Sequence, residues 1–226
     1  MIWTPSPNCD ARPAGAAIDH LVLHYTGMQS AAAALARLCD PAAKVSSHYV
    51  VDEDGAVYAL VEETGRAWHA GVSFWRGVAG LNDRSIGIEI VNPGHEWGYW
   101  PFPDVQMASV RDLCLSILAR HAIPARNVVG HSDIAPDRKQ DPGELFPWAW
   151  LAAHGIGMWT DEFAPAGDVL ADLAALGYDT RFPPSSVITA FQRHFLPDGM
   201  VGEADAATAR RAAALRRIAE ESTSFL

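Results

Sequence analysis

Along the first 160 residues, apolar and polar positions alternate in short runs, and the alternation places strands. Over residues 18–25, Leu21, Leu23 and Tyr25 share one face while Val22 and His24 share the other, which reads as a buried strand. Residues 47–51 and 56–61 predict a hairpin joined by Asp52-Glu53-Asp54-Gly55. Residues 85–91 predict a further strand with Ile86, Ile88 and Ile90 on one face. Elsewhere the period lengthens. An Ala-rich helix covers 31–38 and ends at Asp40-Pro41, and a longer helix covers 105–121 with Val110, Leu113, Ile117 and Leu118 turned inward. Val128-Val129 is a short strand before a long polar loop, 130–143. Strands and helices mix without strict alternation, so the expected class is α/β, a mixed central β-sheet flanked by helices.

Beyond Pro165-Ala166-Gly167, which reads as a linker, the pattern is wholly helical. Val169, Leu170, Leu173 and Leu176, then Val187, Ile188, Phe191 and Phe195, then Ala212, Leu215 and Ile218 predict three short amphipathic helices. They form a small three-helix bundle, too small to hold an enzyme site of its own. The expected division is 1–160 and 165–226.

Composition narrows the function classes. The 226 residues carry 17 Lys plus Arg against 27 Asp plus Glu, a formal charge of −10, which argues against nucleic acid as the main ligand. No apolar run is long enough to span a bilayer, so membrane insertion is not expected. The first residues lack the basic start and apolar stretch of a secretory signal, which points to a cytoplasmic protein, or a periplasmic one if a native signal precedes them. Cys9, Cys39 and Cys114 form no C-x-x-C pair, which fits buried thiols in a reducing compartment.

Candidate chemistry concentrates at a few positions. Of nine histidines, His95, His121, His154 and His194 fall in loops or at polar helix ends, and His20 has no partner pattern. His24 ends a buried strand, and His131 opens a loop that also holds Asp133, Asp137 and Asp141. That loop reads either as a solvated turn with Asp caps or as part of a metal site, since two imidazoles and one carboxylate are how catalytic zinc is held. Glu89 lies opposite the isoleucine face of its strand, beside Gly87, and is either exposed there or buried and functional. Lys139 stands out because it and Lys44 are the only lysines among the 17 basic residues, and an ammonium suits a developing oxyanion. Most of the tryptophans, Trp75, Trp97 and Trp100 among them, read as core packing.

Six ordered segments then become recognisable: Leu21-Val22-Leu23-His24-Tyr25-Thr26, Val45-Ser46-Ser47-His48-Tyr49, Ala67-Trp68-His69-Ala70-Gly71, Leu81-Asn82-Asp83, Ser85-Ile86-Gly87-Ile88-Glu89 and the stretch 130–143. Together they resemble the type-2 zinc N-acetylmuramoyl-L-alanine amidases, which share the peptidoglycan-recognition-protein fold. The tail resembles, more loosely, the three-helix peptidoglycan-binding module, through residues 173–178, 187–195 and 202–205.

The resemblance implies that His24, His131 and Asp141 bind Zn2+, that Glu89 is the general base and acid, and that Lys139 stabilises the oxyanion. His48, Trp68 and His69 would line the cleft, with Asn82 and Arg84 as further substrate contacts. In several relatives a basic residue precedes the Leu-Asn-Asp segment; here Gly80 does, and Arg84 is the expected substitute. The implied reaction is hydrolysis of the amide between N-acetylmuramic acid, or its 1,6-anhydro form, and L-alanine of a stem peptide. The implied partner is peptidoglycan or a muropeptide, and the expected state is a monomer. Rival readings are a non-catalytic recognition protein of the same fold, a phage lysin with the same chemistry, and a glycoside hydrolase using Glu89 and Asp141 as its acid pair.

Overall fold

A computed structural model describes residues 1–221. In chain order the first half contains β1 (Ile2–Trp3), β2 (Cys9–Ala11), β3 (His20–Tyr25), α1 (Ala31–Leu38), β4 (Tyr49–Val51), β5 (Val57–Ala59), β6 (Gly65–Ala67), β7 (Phe74–Trp75), β8 (Val78–Ala79) and β9 (Ser85–Ile90). The second half contains α2 (Gly94–Trp97), α3 (Asp104–Arg120), β10 (Val128–Gly130), α4 (His131–Ile134), α5 (Trp148–Ala153), α6 (Val169–Leu176), α7 (Pro184–Phe195) and α8 (Ala206–Glu221). The central sheet runs β1-β5-β4-β9-β3-β10; β3 is parallel to both β9 and β10, and β4 and β5 make the antiparallel hairpin. Pairs β2–β6 and β7–β8 form two small separate sheets. This is the mixed α/β architecture expected.

The period-two pattern explains how the sheet is buried. Leu21 and Leu23 of β3 and Ile86, Ile88 and Ile90 of β9 all join one cluster with Val110, Leu113, Cys114 and Ile117 of α3. The opposite face carries Val22 and His24 from β3 and Ser85, Gly87 and Glu89 from β9. The parallel register sets His24 directly beside Glu89. One face is therefore a hydrophobic floor on α3, and the other presents polar side chains in a row, at the strand ends where parallel sheets place their ligands.

The tail contains the three helices expected, α6, α7 and α8. Their core is not separate from that of the first part. Leu173, Val187, Phe191 and Leu215 share one buried cluster with Val22, Ala70, Val129 and Ile134 from the first part of the chain. The boundary near residue 165 thus separates two stretches of sequence that share a core. Trp75 packs edge-on against Tyr178 and its backbone neighbour Arg76 bonds Gly177 O, 2.9 Å, which adds polar stitching to the seam.

Two expectations need correction. Of the two readings of the stretch 130–143, the solvated turn holds only for part of it: His131, Ser132, Asp133 and Ile134 form the buried turn of α4, with Asp133 and Ile134 packed against the tail, whereas Asp137, Arg138 and Gln140 are exposed. The thiols are not all buried either; Cys114 is, Cys39 is partly so, and Cys9 is exposed.

Candidate metal centre and cleft

His24 lies one residue before the end of β3, and His131 follows directly on β10, the strand paired with β3 on its other side. The chain returns so that Asp141 lies against both, with Ser132 N donating to Asp141 O at 2.9 Å. His24 Nδ1 lies 3.0 Å from His131 Nδ1 and 3.0 Å from Asp141 Oδ2, and His131 Nδ1 lies 3.1 Å from the same oxygen. All three side chains are buried.

The hydrogen-bond partners around this trio fix which nitrogen carries the proton. Ser85 Oγ donates to Leu81 O, 2.6 Å, so it accepts from His69 Nε2 at 3.1 Å. His69 Nδ1 is then a lone pair and accepts from His24 Nε2 at 3.0 Å, which leaves His24 Nδ1 unprotonated. On the other side His131 Nε2 donates to Ala70 O, 3.2 Å, so its Nδ1 is a lone pair too. Two imidazole lone pairs and a carboxylate oxygen therefore converge with no hydrogen between them. Ligand atoms about 2.0–2.1 Å from a tetrahedral zinc lie roughly 3.3 Å apart, close to the spacings seen here. The residues fit a zinc ion.

Charge follows the same geometry. Burial, joined by the proximity of His131, pushes His24 down to about 4. Burial raises the Asp141 carboxyl, and protonated imidazoles at His131 and His24 would hold it well below the ordinary range; with both imidazoles neutral, a cation bound among the three would take that role. Glu89 differs: burial and then the charge of Asp141 raise its carboxyl well above the usual value, only partly offset by Lys139. Its Oε2 is sealed from solvent and has no hydrogen-bond partner. A lone buried carboxylate oxygen is costly unless something is delivered to it. A glycosidase-type pair of Glu89 and Asp141 does not suit this arrangement, since one oxygen of Asp141 already faces both imidazoles.

A cleft of about 350 Å3 opens over the trio, and Trp68, His69, Glu89, His131, Lys139 and Asp141 are among its walls. The other residues expected to contact substrate lie elsewhere. His48 is fully buried just before β4, 3.0 Å from both Arg12 Nη2 and the Gly87 amide, and is not among the cleft walls. Asn82 accepts from the amides of His69 and Ala70 with its Oδ1, at 3.1 and 2.7 Å, so it shapes the segment behind the site. Arg84 is paired with Asp19 at the opposite end of β9, roughly 16 Å along the strand from Glu89, and is no substitute for a cleft cation. His69 touches the cleft but is chiefly the support of His24.

Sequence reasoning missed Ser85, whose signal was present: Ser85, Gly87 and Glu89 share a strand face. It also set aside His194, which is buried and hydrogen-bonded to Asp133.

Two imidazoles, a carboxylate and a partnerless glutamate at one end of a mixed sheet are the constellation of a metal-dependent hydrolase. The comparisons with known proteins agree. The family model described as N-acetylmuramoyl-L-alanine amidase matches residues 14–144, and the chain belongs to this family. It is 42% identical to the N-acetylmuramoyl-L-alanine amidase AmiD of Escherichia coli, over 88% of this chain and 82% of that protein. It is 33% identical to the 1,6-anhydro-N-acetylmuramyl-L-alanine amidase AmpD of the same organism, over 64% of this chain and 86% of that protein. The structure of E. coli AmiD in complex with the substrate anhydro-N-acetylmuramic acid-L-Ala-D-gamma-Glu-L-Lys matches with a TM-score of 0.81, 40% identity and 92% coverage of each chain. Pseudomonas aeruginosa AmpDh3 in complex with an anhydromuramic pentapeptide matches with a TM-score of 0.82, 34% identity, and 92% and 94% coverage.

Proposed function

We propose that this protein is a zinc-dependent N-acetylmuramoyl-L-alanine amidase, with His24, His131 and Asp141 as the metal ligands. The reading rests above all on the convergence of three proton-free ligand atoms about 3 Å apart beside a glutamate that has no partner. The substrate is a muropeptide or peptidoglycan strand, and the bond cleaved joins the lactyl carbonyl of N-acetylmuramic acid, or of its 1,6-anhydro form, to L-alanine. The relatives solved with anhydromuramyl peptides support the anhydro form as a substrate.

When bound, zinc supplies Lewis acidity that brings a water's pKa towards neutrality. The remaining work falls to this chain's own groups. Glu89 accepts the proton of the attacking water at its carboxylate and returns it to the departing L-alanine nitrogen. A carboxyl raised above the usual range by burial is a stronger base than an exposed one, which suits the proton acceptance. Lys139, on the same cleft wall, faces the negative charge that develops on the carbonyl oxygen. His69 and Ser85 keep His24 in the tautomer whose Nδ1 lone pair faces His131 and Asp141, where it would hold the metal. Trp68 offers a ring face to sugar or stem peptide at the cleft edge.

Residues 1–160 carry this chemistry; the helices α6, α7 and α8 that follow resemble a peptidoglycan-binding module in sequence but pack into a core shared with the first part. Among the described residues no helix is long and apolar enough to cross a membrane. A cytoplasmic enzyme would meet soluble anhydro-muropeptides and a periplasmic one the wall polymer, so activity on each tests the location. The ligand assignment is tested by elemental analysis: one zinc per wild-type chain and a loss of zinc in His24→Ala are expected. Equal zinc content in the two proteins would overturn it.

A further inference from the structure

The turn that carries His131 is gripped from outside the catalytic part of the chain. Asp133, two residues after His131, is buried, and each of its carboxylate oxygens is spoken for. Oδ2 accepts from Gly130 N at 2.7 Å, which closes the turn across His131. The same oxygen lies 2.7 Å from His194 Nδ1 of α7, and Oδ1 accepts from the Tyr178 hydroxyl at 2.6 Å. Tyr178 and His194 are themselves buried. The His194 ring stacks on Trp148 with a centroid distance of 3.8 Å and an 18° tilt, so its nitrogen cannot swing away from the carboxylate. Ile134 and Val129, on either side of the turn, lie in one apolar cluster with Leu173, Val187 and Phe191.

We propose that the C-terminal helices are a structural half of the metal centre, with Tyr178 and His194 as positioning residues that hold Asp133 and, through it, the imidazole of His131. Without those two donors the buried Asp133 side chain is left with only one backbone amide to satisfy it, and a turn built around such a group relaxes. His131 Nδ1 then leaves the point where it meets His24 and Asp141. A wall-binding module on a linker would make no such contacts, and would be removable without loss to the site. The inference rests on the zinc-site reading above, and its test therefore reads metal affinity rather than hydrolysis.

Zinc affinity is to be measured by chelator competition on full-length wild type, Tyr178→Phe, His194→Phe, His194→Asn and Arg216→Gln. His194→Phe keeps the stacked ring and loses the donor, whereas His194→Asn loses the ring and keeps an N–H near the Nδ1 position. Arg216→Gln removes the tail's ion pairs with Asp172 and Glu220, neither of which bonds Asp133, and is the control. Tyr178→Phe and His194→Phe should each raise the zinc Kd by about 10–100-fold, the usual effect of losing an outer-shell partner. His194→Asn should recover most of that loss, and Arg216→Gln should match wild type.

Zinc Kd values within about twofold of wild type for both Tyr178→Phe and His194→Phe would overturn the proposal. Should those variants not fold, hydrogen exchange on the wild type decides. Coupling is reciprocal, so adding zinc must slow exchange of the Tyr178 amide and the α7 amides; equal rates with and without zinc would overturn the proposal. A wild-type chain that binds no zinc would instead sink the amidase reading.

Discussion

Gly87→Ala should damage the metal centre without touching a ligand. The position lies in the middle of β9, where alanine fits the backbone without strain, so the effect is steric alone. A Cβ built there would sit 2.4 Å from His69 Cγ, 2.5 Å from Nδ1 and 2.6 Å from Cδ2. Ordinary contact needs about 3.5 Å, so the ring must move by roughly 1 Å. It cannot move freely, because it bridges His24 Nε2 at 3.0 Å and Ser85 Oγ at 3.1 Å. Overpacking of this kind costs about 1–3 kcal/mol, which for a chain of this size lowers Tm by roughly 2–12 °C. The displaced ring stops accepting from His24, and zinc affinity should fall about tenfold or more. Gly199→Ala, where a Cβ meets nothing within 4 Å, is the control for the substitution itself.

The assay is thermal unfolding together with zinc competition for wild type, Gly87→Ala, His69→Ala and the double variant. His69→Ala removes the obstacle, so the double variant should lose less stability than the two single losses added, by about 1 kcal/mol or more. Strict additivity, or a Gly87→Ala protein with wild-type zinc affinity, would refute the claim that His69 is wedged between the strand and His24.

Other substitutions separate the proposed roles. Glu89→Gln should keep its zinc and lose about 10²–10⁴-fold in kcat; turnover at the wild-type rate would remove Glu89 from the proton transfers. Lys139→Met should lower kcat by about 10²–10³-fold with a smaller change in KM, and an effect confined to KM would make Lys139 a binding residue instead. Acid should destabilise the fold through Glu63, far from the cleft. Burial would raise that carboxyl, but hydrogen bonds from Arg120, His121 and Tyr49 outweigh it and bring it down to about 2. Its folded value lies below its unfolded one, so the stability it contributes is full above about pH 4.5 and is lost as pH falls towards 2. Glu63→Gln should therefore flatten the stability profile across that window, and an unchanged slope would assign the acid sensitivity elsewhere.

Much of the sheet was legible because strand faces follow a period of two. That rule alone put Ile86, Ile88 and Ile90 on one face, the face that packs against α3, and turned Glu89 the other way. It also set His24 on the polar side, although only the parallel register of β3 and β9 shows the two residues to be neighbours. Strands such as β1, β7 and β8 are two residues long and carry no period to read. The buried character of α4 was hidden for a different reason. Asp133 meets Tyr178 and His194 across 45 and 61 residues of sequence, so a polar stretch looked solvated when its partners lay in the tail. Arg84 shows the converse error: nearness in sequence to Leu-Asn-Asp suggested a cleft contact, and Asp19 holds it at the far end of the strand.

Mass spectrometry of a soluble anhydro-muropeptide, incubated with zinc-loaded protein and in parallel with EDTA-treated protein, bears most directly on the amidase assignment. The expected products are a free stem peptide with L-alanine at its amino terminus and the intact anhydro-sugar, formed only when zinc is present. New sugar ends with the peptide still attached, or equal cleavage after the metal is stripped, would contradict a zinc amidase built on His24, His131 and Asp141.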